Sequence, residues 1–324
     1  MMSVPVFFHL LADRSGAPAA LLFDCALPGD EGAAARFADA GAVGALGASF
    51  PCLFRETEPA ALAEFLREAG WQPLAADSVQ RIDAAFVNDL APAIRWVTGD
   101  WCTAPPLKNP GNKGASRALA LQLVQLVAAD ADTHEIEALL RRDPTLSYHL
   151  LRLVNSLGMG ATRRVTSFSQ ALLILGRQQL RRWLNLMLFA AGEGDLRSGM
   201  LLARVAVRSR ALESLAKALG LDKQTQEQAF MTGMFSLLGI LFGQPLAEVL
   251  KPLAIGEAVQ AALLSQQGEL GALLALVEAA EAGRLGDVAG QLAALQLDAD
   301  EFNAIVIDAN VWMLGVLGES VPHA

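Results

Sequence analysis

Along the first hundred residues apolar and polar positions alternate in short runs, whereas from residue 115 onward apolar residues recur every three or four positions. The change of period divides the chain into two kinds of structure. Residues 4–11 and 19–23 are strand-like runs on either side of Asp13-Arg-Ser-Gly16, which predicts a hairpin. Residues 33–40 predict a short helix, 41–51 a glycine-rich turn, and 59–69 a helix ended by Gly70; residues 71–75, 78–87 and 92–97 return to alternation. This is α/β material, and Trp71, Trp96 and Trp101 give it the makings of its own small core. Between Ala104 and Gly114 three prolines and two glycines fall in eleven residues, which no regular element accommodates. The boundaries that follow are a small α/β domain at 1–104, a linker at 105–114 and an all-α domain at 115–324.

In the helical part the clearest signals lie between residues 138 and 176. Asp143-Pro144 supplies an N-cap with a proline at the first helical position, and Leu146, Leu150 and Val154 follow at four-residue spacing. Asn155-Ser156 ends that helix, and Ser167 with Gln170 forms a capping box for the next, as Asp132 and Glu135 do upstream. Later helices are expected at 178–191, 196–219, 223–242, 245–250, 255–264, 270–282, 285–295 and 298–317, joined by the short links of packed neighbours. No fixed-period repeat is present, so a compact bundle is expected rather than a solenoid.

Composition narrows the function classes. The 324 residues are 53% apolar with a mean hydropathy of +0.36. The longest apolar runs fall short of the roughly 20 residues that cross a bilayer, and no signal-peptide pattern opens the chain. A cytoplasmic protein without membrane insertion is expected. The net charge of −9 disfavours a nucleic-acid binder. That charge is uneven: residues 141–182 hold eight arginines and one acid, Asp143.

Candidate chemistry is sparse. Cys25, Cys52 and Cys102 form no C-x-x-C pair, and read as free thiols. Glycines 41, 44 and 47 match neither dinucleotide-binding nor P-loop spacing. His134-Glu135 lacks the second histidine of a zinc motif, and His149 sits on a leucine-rich helix as a core or boundary residue. Ser147 and His149 are two apart and point to different faces. Asp298 and Asp300 read as an exposed helix start. Neither a catalytic group nor a metal set is therefore assigned, and no cofactor is expected. The remaining constellation is Arg163, Arg164, Arg177, Arg181 and Arg182 together with the Asn155-Ser156 turn. It reads either as a solvated rim or as a surface for an anion or an acidic partner.

The run from Ile136 to Ser156, then Val165-x-Ser167, then Ala171-x-x-x-Leu-Gly176, closely resembles the HDOD domain, a helical output module of bacterial signalling proteins. Ala229-Phe-Met-Thr-Gly-Met-Phe-Ser-Leu-Leu-Gly239 looks like the corresponding later segment, and aligns with the metal-binding G-x-x-H-D-x-G of related HD phosphohydrolases. Ser236 and Leu237 then stand at the histidine and aspartate positions. The N-terminal part is most similar to a shortened EAL domain, a cyclic di-GMP phosphodiesterase barrel. In it Ala19-Ala-Leu-Leu-Phe-Asp24 resembles the Glu-Leu-Leu-Phe-Arg signature, with Ala20 at the metal-binding glutamate.

The resemblance implies a mainly α fold, an HDOD domain preceded by a small α/β domain resembling a truncated EAL barrel. It implies a non-catalytic signal-transduction protein that acts through a protein partner or an interdomain relay, linked to cyclic di-GMP. The alternatives are a cyclic di-GMP receptor or residual phosphodiesterase or phosphohydrolase, although no motif supports nucleotide binding, and a nucleic-acid-associated regulator.

Overall fold

A computed structural model describes residues 4–25, 40–86, 89–104, 131–140, 195–251 and 255–320, with residues 122, 123, 125, 126, 129, 176, 182, 185, 186, 189 and 253 between them. The expected helix at 33–39, the linker at 105–114 and the capped helices of 143–175 lie outside the described residues.

The chain opens with the predicted hairpin, β1 (Val6–Ala12) and β2 (Pro18–Cys25). Its turn is fixed by Asp13, whose Oδ1 accepts from the Ser15 and Ala17 amides at 2.8 and 3.0 Å and from the Ser15 hydroxyl. Then follow α1 (Ala40–Ser49), β3 (Cys52–Arg55), α2 (Ala60–Glu68), β4 (Gln72–Leu74), β5 (Val79–Arg81) and β6 (Trp96–Thr98). The expected glycine-rich turn at 41–51 is thus a helix, because alanine and valine between the glycines keep helical propensity and bury Val43 and Leu46.

The strands form one six-stranded mixed sheet in the order β4-β3-β2-β1-β6-β5. β4 and β5 are consecutive in sequence yet occupy opposite edges. The five steps from Leu74 to Val79 reach at most ~18 Å, whereas a flat sheet of this width spans ~24 Å between edge strands. The sheet must curl, and it does so as a half-barrel. Its concave side is filled by Leu11, Ala20, Leu22, Leu53, Leu74 and Trp96, with Val79 packed on them, so every strand contributes. The alternate residues Val6, Phe8, Leu21, Phe23 and Phe54 face the other way.

The described helices that follow are α3 (Thr133–Leu140), α4 (Ser198–Ala218), α5 (Lys223–Phe235), α6 (Leu238–Phe242), α7 (Leu246–Leu250), α8 (Glu257–Ser265), α9 (Gly268–Glu281), α10 (Leu285–Leu295) and α11 (Ala299–Ser320). α4 is buried on most of its circumference, which makes it the axis of this part. α5 packs closely on it because Gly233 lets the backbones approach: a Cβ there would lie 2.5 Å from Ser209 Cα. The helix expected over 223–242 is two helices, broken at Ser236 and Leu237.

The expected fold class is corrected here. The N-terminal part is a six-stranded curled mixed sheet, a half-barrel, and not the expected small α/β domain resembling a truncated EAL barrel; the described part that follows is helical, as expected. The convex side of the half-barrel shares one continuous hydrophobic core with α4 to α11: Phe23, Phe54 and Trp71 belong to the same cluster as Leu212, Phe230 and Phe302. A curled sheet of short strands exposes too much apolar surface on its outside to stand alone, and the helices cover it. Buried Asn303 of α11 joins the parts, its Oδ1 accepting from Val6 N at 2.8 Å and its Nδ2 donating to Val4 O at 2.9 Å. At the other end Arg197 donates to Ala104 O at 2.6 Å.

Candidate functional site

Strand direction decides where the polar groups of the sheet collect. β2–β3, β3–β4 and β5–β6 are parallel pairs and β1 is antiparallel to both β2 and β6, so five strands end at the same rim and β1 begins there. Inward positions change from Leu11, Ala20 and Leu53 at the bottom to His9, Asp24, Arg55, Arg81 and Thr98 at the rim. A cleft of about 470 Å³ opens on these groups, closed on the far side by α4, α9 and α11. Carboxyl ends of parallel strands are where α/β sheets place ligands.

At the centre of the rim Asp24 Oδ2 meets His9 Nε2 at 2.9 Å and Asp24 Oδ1 accepts from Arg55 Nη1 at 3.1 Å. Burial pushes the Asp24 carboxyl up, but the bonds and charges of His9 and Arg55 outweigh it and hold it below the ordinary aspartate value. Gly283, in the turn after α9, has φ +70 and sits over this pair; a Cβ on it would be 3.5 Å from Asp24 Oδ2. Behind the rim the Cys25 thiol donates toward Glu58 Oε2 at 3.8 Å. Burial, then Glu58 and Asp24, push that thiol up to about 12, so it is no nucleophile.

On the helical wall Arg208, 6% exposed, donates to Glu281 from Nε at 3.0 Å and from Nη2 at 2.5 Å, and from Nη1 to Glu278 at 3.2 Å and to Ser236 Oγ at 2.8 Å. Burial works against the cation, but Glu281 and Glu278 overcome it and raise the Arg208 pKa above the ordinary arginine value. Ser236 Oγ in turn donates to Gly233 O at 2.7 Å, and Leu237 is buried. Ser236 and Leu237, expected to stand at the metal-binding histidine and aspartate, are thus a hydroxyl bound to a guanidinium and an apolar core side chain. Ala20, expected to stand at the EAL glutamate, is fully buried among the leucines of the half-barrel.

Of the residues expected to form a partner surface, Asn155, Ser156, Arg163, Arg164, Arg177 and Arg181 lie outside the described residues, as does His149. Arg182 is described and is turned inward. Its guanidinium pairs with Glu213 at 2.7 Å and closely with Glu227, and lies 4.2 Å over the Phe230 ring. With only 12% of its side chain exposed, it is engaged within the fold. Asp298 accepts from Glu301 N at 2.7 Å, the helix-start role expected of it. The rim groups His9, Asp24, Arg55, Arg81 and Arg204 were not singled out by the sequence. The signal that marks two of them is a polar residue on an otherwise apolar period-two face: Phe7-His9-Leu11 and Ala20-Leu22-Asp24.

Residues 117–246 match the HDOD domain model, so the chain carries an HDOD domain. Among curated proteins it is 30% identical over 195 residues to the cyclic di-GMP phosphodiesterase CdgJ of Vibrio cholerae, a match covering 60% of this chain and 45% of that protein. It is 27% identical over 176 residues to the uncharacterized protein YuxH of Bacillus subtilis, covering 53% and 42% respectively. The matches span less than half the length of these relatives. A solved structure from Shewanella amazonensis, provisionally described as a phosphohydrolase, superposes with a TM-score of 0.45 at 18% identity over 63% of this chain and 93% of that one. No helix among the described residues is long and apolar enough to cross a membrane.

Proposed function

We propose that this chain is a signalling protein whose HDOD domain works by engaging another protein and not by catalysis, in a pathway that uses cyclic di-GMP. The observation that carries this reading is the Ser236–Leu237 break between α5 and α6. A metal ion bound there would lack both ligands and face the buried, permanently charged Arg208 at hydrogen-bond distance from Ser236. The link to cyclic di-GMP is supported by the name of the Vibrio cholerae relative. The continuous core between half-barrel and helices supports a relay, since packed side chains can carry coupling from one to the other.

A second reading, a receptor for cyclic di-GMP or a residual phosphodiesterase, is favoured by the cleft at the strand rim. It is set behind the first because Ala20 offers no metal ligand and that part of the half-barrel is packed with apolar side chains. The partner-binding reading is tested by retaining proteins from a native cell extract on the immobilised full chain and on its Arg163→Glu/Arg164→Glu variant. A specific protein held by the first and lost from the second, with the variant still folded, is the expected result. Specific retention by neither contradicts the reading, and equal retention by both contradicts its placement at Arg163 and Arg164.

A further inference from the structure

Arg208 of α4 is buried and divides its donors between two elements. Nε and Nη2 form a fork on Glu281 in the last turn of α9; Nη1 is shared between Ser236 Oγ at 2.8 Å, in the α5–α6 break, and Glu278 Oε1 at 3.2 Å. The bond to Glu278 is longer than a well-formed guanidinium–carboxylate bond of about 2.7–2.9 Å. Withdrawing Ser236 therefore leaves the cation room to close on Glu278. The other oxygen of Glu278 is held by Gln266 Nε2 at 2.7 Å, so the movement falls on the guanidinium and on the Glu281 it grips.

α9 passes such a shift to the half-barrel because it closes in a tight C-terminal turn: Gly283 N donates to Ala280 O at 3.0 Å and Arg284 N to Ala279 O at 2.9 Å. Gly283 is the left-handed residue of that turn, two positions after Glu281. A Cβ on it would stand 3.5 Å from Asp24 Oδ2 and 4.0 Å from His9 Nε2, so little slack separates the Arg208 fork from the rim pair. Packed contacts of this kind take discrete arrangements instead of a continuous range. We propose that Arg208 is the switch that couples the α5–α6 break to the rim of the half-barrel. With Ser236 in place it holds α9 where Gly283 abuts Asp24 and His9; with Ser236 withdrawn it closes on Glu278 and moves that turn against the pair. The proposal rests on the relay reading, to which it gives a moving part.

A double-mutant cycle on the full chain tests the coupling. Ser236→Ala removes the acceptor at the break and Asp24→Asn alters the rim, and the two residues share no partner. Independent sites of this kind add to within about twofold in the folding equilibrium constant. The two substitutions should depart from additivity by at least about threefold, read from denaturant titrations. Made again in a Glu281→Gln background, which weakens the fork and keeps its shape, they should return to additivity. Additive effects in the wild-type background, or a departure that survives Glu281→Gln, overturn the proposal. Should the triple variant fail to fold, the His9 ring protons, assigned by their loss in His9→Gln, carry the test by NMR. Ser236→Ala alone should move those signals, and signals left unmoved overturn the proposal as well. None of these outcomes bears on protein retention through Arg163 and Arg164, so the two readings fail separately.

Discussion

Asp24 shows how one side chain ties the rim together. Held below its ordinary value, its carboxylate contributes stability that is fully present above the unfolded pKa of about 3.9, and that is lost as pH falls through the lower folded value. Denaturation midpoints of the wild type should therefore fall more steeply below about pH 4 than those of Asp24→Asn. At pH 7 that variant should be less stable by roughly 1–3 kcal/mol, because His9 and Arg55 lose a charged acceptor. Parallel pH curves for the two proteins would deny Asp24 this role. The cysteines give a second residue-level expectation. Burial raises all three thiol pKa values, Cys25 and Cys52 to about 12. A thiol reagent at pH 8 should label none rapidly in the native protein and all three after unfolding; fast labelling of one native thiol would contradict it.

At the scale of elements, close approaches between backbones set the packing. Gly233→Ala pushes a Cβ into the Ser209 backbone, which cannot yield as a flexible side chain would. The cost should be about 1–3 kcal/mol, read as a lower denaturation midpoint. Asn303→Ala leaves the Val6 amide and the Val4 carbonyl without their partner, at roughly 1–3 kcal/mol for each buried group. Element positions were largely legible in the sequence where local chemistry dictates them: Asp13 made the hairpin turn, Gly70 and Gly220 ended their helices, and Leu285–Leu295 formed as predicted. The break at Ser236–Leu237 was not legible as a break, because both residues fit a helical pattern. The helix at Ala40–Ser49 was missed because its three glycines read as turn signals, whereas one of them, Gly47, packs closely against Trp71 within the helix.

For the whole molecule, the convex face of the half-barrel and the helices share one core, which the sequence hid. A proline-rich segment at 105–114 reads as a domain boundary, but contacts between residues about 300 positions apart, such as Val6 with Asn303, leave no local trace. The rim cleft was hidden for the same reason, since its walls come from both ends of the chain. A shared core predicts a single cooperative transition: tryptophan fluorescence, weighted to Trp71, Trp96 and Trp101 of the half-barrel, should coincide with circular dichroism of the helices. Two separated transitions would mean two independent cores.

The proposal that Ser236, Leu237 and Ala20 leave this chain without catalysis is tested most directly by incubating the full chain with cyclic di-GMP in excess magnesium and in excess manganese, at equimolar protein and nucleotide, and resolving the products by chromatography. A non-catalytic signalling protein returns the nucleotide intact under both metals. Metal-dependent accumulation of the linear dinucleotide would contradict it.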